Sequence, residues 1–476
     1  MRSPTHLSLR FAACLSALFL SGGCSSSDAR ARDALGEYQS ATAANDLLGA
    51  RQALLKLVQA KDDVPDYWEQ LGKLEASTGS YQDAYYAFSR AYELDRSNVE
   101  VVRTVTQLAL RAGDLPSALK HADELEVLAP GDPWAKLAKG WAAVTEKHFD
   151  EAISTADEIL ANSPYDPNAT VLKGQGLIGL NRYDDAEALL TKQIQGQPSD
   201  SGSLQLLARL YERESNWPKL LPVAQRINQL NPTDPTYALI AIEAALRSGN
   251  AELGRAESLR LLKPNTPASL VIGVLGLWDD YWSSPQRIDD ARKLGNTATN
   301  LQSRLAYASF LSRSGSPADA VRLSSSAATL PINAGNAEAN AVVGDAWARL
   351  GQLIPAKTRL DSVLAFDPGN ASALRGRVEV ELRMHNVRAA VADAQKLTTV
   401  LPNSPSDRLL LARCFAASGN QAWMERTLWS AFQDIPANEK LLAALESTKK
   451  GDRDATRELQ EEFDRQRDAK LNRGLI

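Results

Sequence analysis

The chain has 476 residues, of which 44% are hydrophobic and 23% charged, and its 53 Lys and Arg against 58 Asp and Glu leave a formal net charge of −5. A folded chain of this length exceeds what one compact core usually organises, so we expect several domains or one extended repeat array. The composition excludes a disordered, collagen-like or disulfide-knotted chain, and the mildly acidic balance argues against nucleic acid as a partner.

The first 23 residues have the pattern of a secretory signal. Arg2 and Arg10 precede an apolar run at 11–20, and small residues follow this run. Ten apolar residues are too few to span a bilayer as a helix, which needs about 20. We therefore predict that residues 1–23 form a signal peptide that is removed.

The segment Leu20-Ser21-Gly22-Gly23-Cys24 resembles a bacterial lipobox. The resemblance implies that Cys24 receives diacylglycerol and becomes an acylated N-terminus, and that Ser25 after it directs the protein to the outer membrane, facing the periplasm. Several acyl chains together anchor a protein stably. Residues 24–30 would then be a short tether. The alternative is an ordinary soluble secreted protein.

A 34-residue period runs through most of the remaining chain, in three series that share one phase. The series contain Pro130, Pro164, Pro198 and Pro232; Ala84, Ala118, Ala152 and Ala186; and Gly72, Gly140, Gly174, Ala208, Gly276, Gly344 and Ala412. The phase divides residues 31–438 into twelve repeats. Each repeat reads as two helices joined by a short turn, so the helices must be antiparallel, and stacking of neighbours must bury their apolar faces.

The repeats resemble tetratricopeptide repeats. The matching residues are Trp68, Leu71, Gly72, Tyr81, Ala84, Phe88 and Ala91 in one repeat, and Gly174, Tyr183, Ala186 and Pro198 in another. The resemblance implies an all-α fold, a right-handed superhelical solenoid of helix pairs. The pattern weakens at 269–336, where the alanine is missing and Gly315 comes two residues early, so we expect irregular helices there. Residues 439–476 are predicted to form capping helices and a charged tail, or alternatively a partner-binding tail.

The sequence offers little that could carry catalysis. His121, His148 and His385 are the histidines beyond the signal, and no two have ligand spacing on one helix. The stretch 174–179 matches a dinucleotide fingerprint as a string, but it falls inside a predicted helix with no strand before it. We expect no enzyme activity, no metal or other cofactor, and no nucleotide.

The resemblance implies that the first helix of each repeat lines an inner groove that binds an envelope protein or peptide. The predicted groove residues are Lys73, Arg103, Gln107, Trp134, Trp141, Gln175, Arg209 and Arg213. Trp134 and Trp141, seven residues apart, would share one helix edge and anchor a partner; alternatively they are core residues. Arginines recur at the thirteenth place of the repeats, where they either form a cationic ridge or complement the helix dipole, and we favour the dipole.

Trp278 and Trp282, four residues apart in an irregular repeat, could stack on sugar rings or pack between distorted helices. The pattern as a whole favours a non-enzymatic, membrane-anchored periplasmic scaffold that supports assembly of a secretion, pilus or exopolysaccharide complex. The alternative is a polysaccharide-binding component of an exopolysaccharide export system, which would use these two tryptophans.

Overall fold

The computed structural model describes residues 25–472, so the signal segment and Cys24 lie outside the described residues. These 448 residues form 26 α-helices, with no β-strand among them. The all-α prediction is confirmed. The chain divides into two compact units, of which unit 1 ends at Ser203 and unit 2 begins at Leu204.

Between residues 25 and 203, unit 1 consists of five antiparallel helix pairs. Its helices are α1 (Ser25–Ala43), α2 (Leu47–Ala60), α3 (Pro65–Ser77), α4 (Tyr81–Leu94), α5 (Val99–Arg111), α6 (Leu115–Leu128), α7 (Pro133–Thr145), α8 (Phe149–Asn162), α9 (Pro167–Gly179) and α10 (Tyr183–Gly196). Proline begins α3, α7 and α9, because its fixed φ suits the first helical position. From Ser25 onward, the segment expected to be a tether is helical and belongs to α1.

Between residues 204 and 472, unit 2 consists of eight helix pairs, and the boundary between the units falls in the first turn of α11. Its helices are α11 (Ser201–Arg213), α12 (Trp217–Leu230), α13 (Thr236–Arg247), α14 (Ala251–Leu261), α15 (Ala268–Tyr281), α16 (Gln286–Thr297), α17 (Leu301–Arg313), α18 (Pro317–Ser324), α19 (Ala337–Arg349), α20 (Leu353–Phe366), α21 (Ala371–Arg383), α22 (Val387–Val400), α23 (Pro405–Ala417), α24 (Gln421–Asp434), α25 (Glu439–Thr448) and α26 (Arg453–Asn472).

The helices follow the 34-residue phase except in the stretch where the pattern weakens. Here α17 begins at Leu301 rather than 303, as the early Gly315 requires, and α18 has only 8 residues. The non-helical segment 325–336 then restores the phase, because α19 begins at Ala337.

One residue with positive φ makes the turn inside most pairs. Gly79 and Gly351 have φ values of 82° and 81°, in a region that glycine adopts without steric cost. The same place is held by His385 at a φ of 61°. The turn geometry is therefore set by the repeat, whichever residue occupies the place.

Glycine at the eighth place allows the two helices of a pair to approach closely. A Cβ on Gly72 of α3 would lie 2.6 Å from Cδ2 of Phe88, a buried residue of α4. A Cβ on Gly344 of α19 would lie 2.7 Å from Leu360 of α20. Gly276 differs, because it is exposed and a Cβ there would meet no atom within 4 Å.

Alanine at Gly72 and at Gly276 is expected to have opposite effects on stability. Gly72→Ala forces the Phe88 ring to shift and should destabilise its helix pair by about 1–3 kcal/mol. Gly276→Ala removes a flexible residue from α15 without a clash and should stabilise by about 0.5–1 kcal/mol. Urea denaturation followed by circular dichroism measures both. Equal effects of the same sign would contradict the packing described.

The first helices lie on the inner side of each unit. In unit 1, α7 contacts both α5 and α9, and in unit 2 the first helices from α13 to α25 contact one another in series. Among the second helices of the described chain, only α16 and α18 make comparable contacts with each other. Neighbouring first helices are closer to one another than neighbouring second helices are, and this difference makes each array curve. The first helices therefore line its concave groove.

Candidate functional site

Two first helices of unit 1, α5 and α7, carry an apolar surface, called here the tryptophan patch. It comprises Leu110, Trp134, Trp141 and Val144. All four are half-buried and pack against one cluster of buried residues that includes Leu137. Indoles held over a fixed apolar floor but still partly open to solvent can anchor an apolar or amphipathic segment of another protein.

An ion pair between two helices holds Trp134 in place. Arg103 Nε on α5 donates to Asp132 Oδ2 at 2.8 Å, and Asp132 Oδ1 accepts from the Trp134 backbone N–H at 2.9 Å, which caps α7. The Asp132 side chain is buried, so this charge needs its partner. Arg103 therefore orients the patch, and its guanidinium is already committed to Asp132 and Glu100, which corrects its prediction as a partner-binding residue.

The remaining predicted groove residues of unit 1 have different environments. Lys73 is exposed and pairs with Glu69 on its own helix at 2.5 Å, and Gln107 is half-buried on α5. Gln175 on α9 is 4% exposed, and its Oε1 has no hydrogen-bond partner among the described residues. The prediction that Gln175 is an exposed groove residue is therefore wrong, because the residues around it leave almost none of its surface accessible to solvent.

The arginines at the thirteenth place do not form a free cationic ridge. Arg111 stacks on the Tyr81 ring at 3.7 Å from its centroid. Arg349 and Arg383 pair with acidic residues one turn back, Asp345 and Glu379, at 3.0 and 2.9 Å. Their position in the last helical turn suits the helix dipole.

In unit 2, the predicted residues Arg209 and Arg213 lie half-buried on α11. Arg213 forms an ion pair with Asp468 on α26 at 3.0 Å.

A polar cavity of about 340 Å³ opens between the first helices α17 to α23 of unit 2. Charged residues of both signs line it: Arg313, Asp345, Arg349, Arg375, Glu379, Asp407 and Arg413. Arg375 donates through Nε and Nη2 to both oxygens of Asp407, each at 2.6 Å, and Arg413 pairs with Glu379 at 2.5 Å. These ion pairs join neighbouring first helices, so most of the charged side chains that line this cavity are already paired with one another.

A second cavity of unit 2, of about 550 Å³, lies at the ends of α11, α13 and α15 and faces α25 and α26. Arg247 is at its centre, with its guanidinium carbon 3.8 Å from the Trp217 ring centroid and 4.9 Å from that of Tyr281. Its guanidinium also donates to Glu243 at 3.1 Å and pairs with Glu439. Sequence reasoning missed this site, although Arg247 and Tyr281 occupy the same place in successive repeats.

Two titratable groups of this cavity have shifted pKa values. Burial would lower the pKa of Arg247, but the hydrogen bond to Glu439 and the neighbouring Tyr281 and Glu243 outweigh it and raise the pKa. Burial, with Glu243 nearby, raises the pKa of Tyr281 to about 12. Arg247 is thus a permanent cation and Tyr281 a neutral hydrogen-bonding ring.

Trp278 and Trp282 belong to the core of unit 2, where they are 0% and 4% exposed. Their rings meet edge to face at 5.0 Å, and Trp278 Nε1 donates to Ser258 Oγ at 2.9 Å. The predicted saccharide-stacking surface is therefore wrong, because neither indole face is accessible.

Residues 25–472 contain no group of three or more His, Cys, Asp or Glu side chains that could hold a metal ion. Within the same stretch, no helix is both long and apolar enough to cross a bilayer. Cys414 is fully buried, and burial raises the pKa of its thiol to about 11. The fingerprint-like stretch 174–179 lies within α9.

Two models of the tetratricopeptide repeat match the chain, one over residues 107–167 and the other over residues 143–210. Residues 107–210 therefore match tetratricopeptide repeats, which confirms the sequence resemblance in this region. No match was found among curated proteins.

Several solved structures have a similar fold at low sequence identity. A tetratricopeptide repeat protein from Parabacteroides merdae is 15% identical, with a TM-score of 0.39 over 49% of this chain and 92% of that chain. Pseudomonas aeruginosa pilF is 15% identical, with a TM-score of 0.33 over 42% and 91%. Yeast Tom70 is 14% identical, with a TM-score of 0.34 over 91% and 97%. These likenesses concern the fold alone.

Proposed function

We propose that the protein is a non-enzymatic scaffold that holds another cell-envelope protein in the groove of unit 1 and is anchored to the outer membrane, facing the periplasm, through lipid on Cys24. Tetratricopeptide repeats bind proteins or peptides, and the chain carries such repeats. The anchor rests on the lipobox-like residues at 20–24. A secretion, pilus or exopolysaccharide complex is the setting that we propose for such a scaffold.

The tryptophan patch is the observation that carries this proposal. Trp134 and Trp141 are half-buried against a cluster of apolar residues, and the Arg103–Asp132 pair fixes the start of the helix that carries them. Partly open tryptophans on a rigid support are typical binding hot spots, since little side-chain entropy is lost when a partner covers them. The polysaccharide alternative required Trp278 and Trp282 to be accessible, and both are buried.

The partner is to be identified by cross-linking inside the bacterial envelope. A photoreactive benzoylphenylalanine at Gln107, on α5 beside the patch, should cross-link one envelope protein. The matched control places the same group at Asp123, an exposed residue of the second helix α6. Identical cross-links from both positions would show that the groove is not the binding surface.

Removing the two indoles should weaken binding of that partner. Trp134→Ala with Trp141→Ala is expected to weaken the purified complex at least tenfold, since hot-spot truncations cost about 2 kcal/mol or more. Trp429→Ala, which removes a 44% exposed indole from α24, serves as the control and should leave the affinity unchanged. Calorimetric titration measures both. Unchanged affinity in the double variant would contradict the proposal.

The lipid anchor has its own test. Cells that express the protein are grown with labelled palmitate, and we expect label on the wild-type chain and none on Cys24→Ser. The Cys24→Ser chain should also leave the membrane fraction. Equal labelling of the variant would show that the lipobox reading is wrong, without affecting the scaffold proposal.

A further inference from the structure

The C-terminal helix pair of unit 2 returns to the inner side of the same unit. The pair α25–α26 follows α24 at the end of the array, yet its charged side chains meet the ends of α11, α13 and α15. These contacts include three ion pairs, here called the clasp: Arg213 with Asp468 at 3.0 Å, Arg247 with Glu439, and Asp280 with Lys440.

We propose that the ends of α11, α13 and α15 form a docking site for a helix that presents carboxylates to Arg213 and Arg247 and an amine to Asp280, and that the C-terminal pair α25–α26 occupies this site until a partner helix displaces it. The inference concerns unit 2 and stands apart from the tryptophan patch of unit 1. It makes the C-terminal pair an autoinhibitory segment as well as a cap.

The chemistry of the site suits carboxylates. The Arg247 guanidinium lies between the rings of Trp217 and Tyr281, so its orientation is fixed before any ligand arrives. A guanidinium held in this way presents a planar fork of donors to a carboxylate at little entropic cost. Arg213, one pair earlier, provides a second cation.

The ion pairs of the clasp span a cavity of about 550 Å³ that is open to solvent and that Ala443 and Phe463 of the C-terminal pair also line. The apolar residues of the C-terminal pair, among them Leu441, Leu445 and Phe463, join a cluster with Leu428 and Phe432 of α24. The pair therefore keeps its own core when the clasp opens.

The strength of the clasp permits opening. In each ion pair both side chains keep partial solvent contact, between 17% and 49% of their surface. A pair of this kind shifts an equilibrium by at most about fivefold. Three such pairs amount to a factor of about 100, which a partner of ordinary affinity overcomes.

The order of charges along the clasp defines which charges a displacing partner helix must carry. Glu439 and Lys440 stand side by side at the start of α25, and they meet Arg247 and Asp280, respectively. A partner helix would thus present a carboxylate to Arg247 and an amine to Asp280, with a further carboxylate for Arg213. The probe with this chemistry is a peptide of residues 436–472 of this chain.

The test uses the full chain with serine at Cys14 and Cys24. Glu439→Gln, Lys440→Gln and Asp468→Asn together neutralise the C-terminal side and leave Arg213, Arg247 and Asp280 intact. Asp454→Asn is the matched control, because Asp454 pairs only with Arg457 on the same helix among the described residues. Spin labels on Glu252→Cys and Glu461→Cys, both exposed, report the distance between α14 and α26 by pulsed electron paramagnetic resonance.

We expect one short distance in the wild-type and control chains and an additional longer distance in the triple variant and in 1 M NaCl, which screens exposed pairs. The fluorescent peptide should bind the triple variant at least tenfold more tightly than the wild-type or control chain. An unchanged distance in both the variant and high salt would overturn the autoinhibitory role. Opening without tighter peptide binding would overturn the docking site.

Discussion

Trp278→Ala is expected to destabilise the middle of unit 2 by about 4 kcal/mol, the cost of a large cavity in a packed core. Trp278 is fully buried, its ring packs edge to face on Trp282 and on Phe310, and its indole N–H donates to Ser258. The alanine variant loses all of these contacts at once. Hydrogen exchange of peptides from α15 to α17 measures the local free energy of opening, which suits an array that need not unfold in one step.

The control for Trp278 is a tryptophan at the surface. Trp429→Ala removes a 44% exposed side chain and should change the same local free energy by less than about 0.5 kcal/mol. A loss below about 1 kcal/mol for Trp278→Ala would contradict the assignment of this indole to the packed core.

Asp407→Asn is the second large effect, with an expected loss of about 2 kcal/mol between α21 and α23, the cost of a lost hydrogen bond between charged groups. Asp407 is 1% exposed and accepts two hydrogen bonds from the Arg375 guanidinium, each 2.6 Å long. The asparagine removes the negative charge and one of the two acceptors, while the Arg375 side chain, which is 37% exposed, keeps part of its hydration. Urea denaturation and hydrogen exchange of α21 to α24 measure the loss.

A neighbouring ion pair provides the comparison for Asp407. Asp434 pairs with Arg408 at 3.3 Å, and its side chain is 50% exposed. Exposed pairs contribute less than about 1 kcal/mol, so Asp434→Asn should have a small effect. Similar losses in the two variants would contradict the assignment of the Arg375–Asp407 pair as a buried link between repeats.

The fold could be predicted from the sequence because its information is local and periodic. Pro65, Ala337 and Pro405 begin first helices at the places that the 34-residue phase assigns. The early Gly315 indicated irregular helices at 269–336, and α17 there begins two residues early, at Leu301. The length of segment 325–336 could not be predicted, because apolar residues in a non-helical segment do not recur at a regular spacing.

The candidate site was predicted only in part, because burial depends on neighbours that periodicity does not specify. Trp134 and Trp141 remain open to solvent, whereas Gln175, at the same place as Trp141 one repeat later, is covered. Trp278 and Trp282 are covered because they pack on each other and because Trp278 also contacts Phe310 of α17 and Ser258 of α14. The role of Arg247 depends on residues nearly 200 positions later in the chain, and no local pattern indicates such a contact.

The clasp also has a consequence for how the chain acquires its structure. Its ion pairs join residues 160, 192 and 255 positions apart, whereas helix pairs are stabilised mainly by neighbours in the next repeat. Bringing together chain ends 255 residues apart costs about 2 kcal/mol more in loop entropy than closing one 34-residue repeat. We therefore expect the repeats to form early and independently, and the return of the C-terminal helices to be the slowest step of refolding.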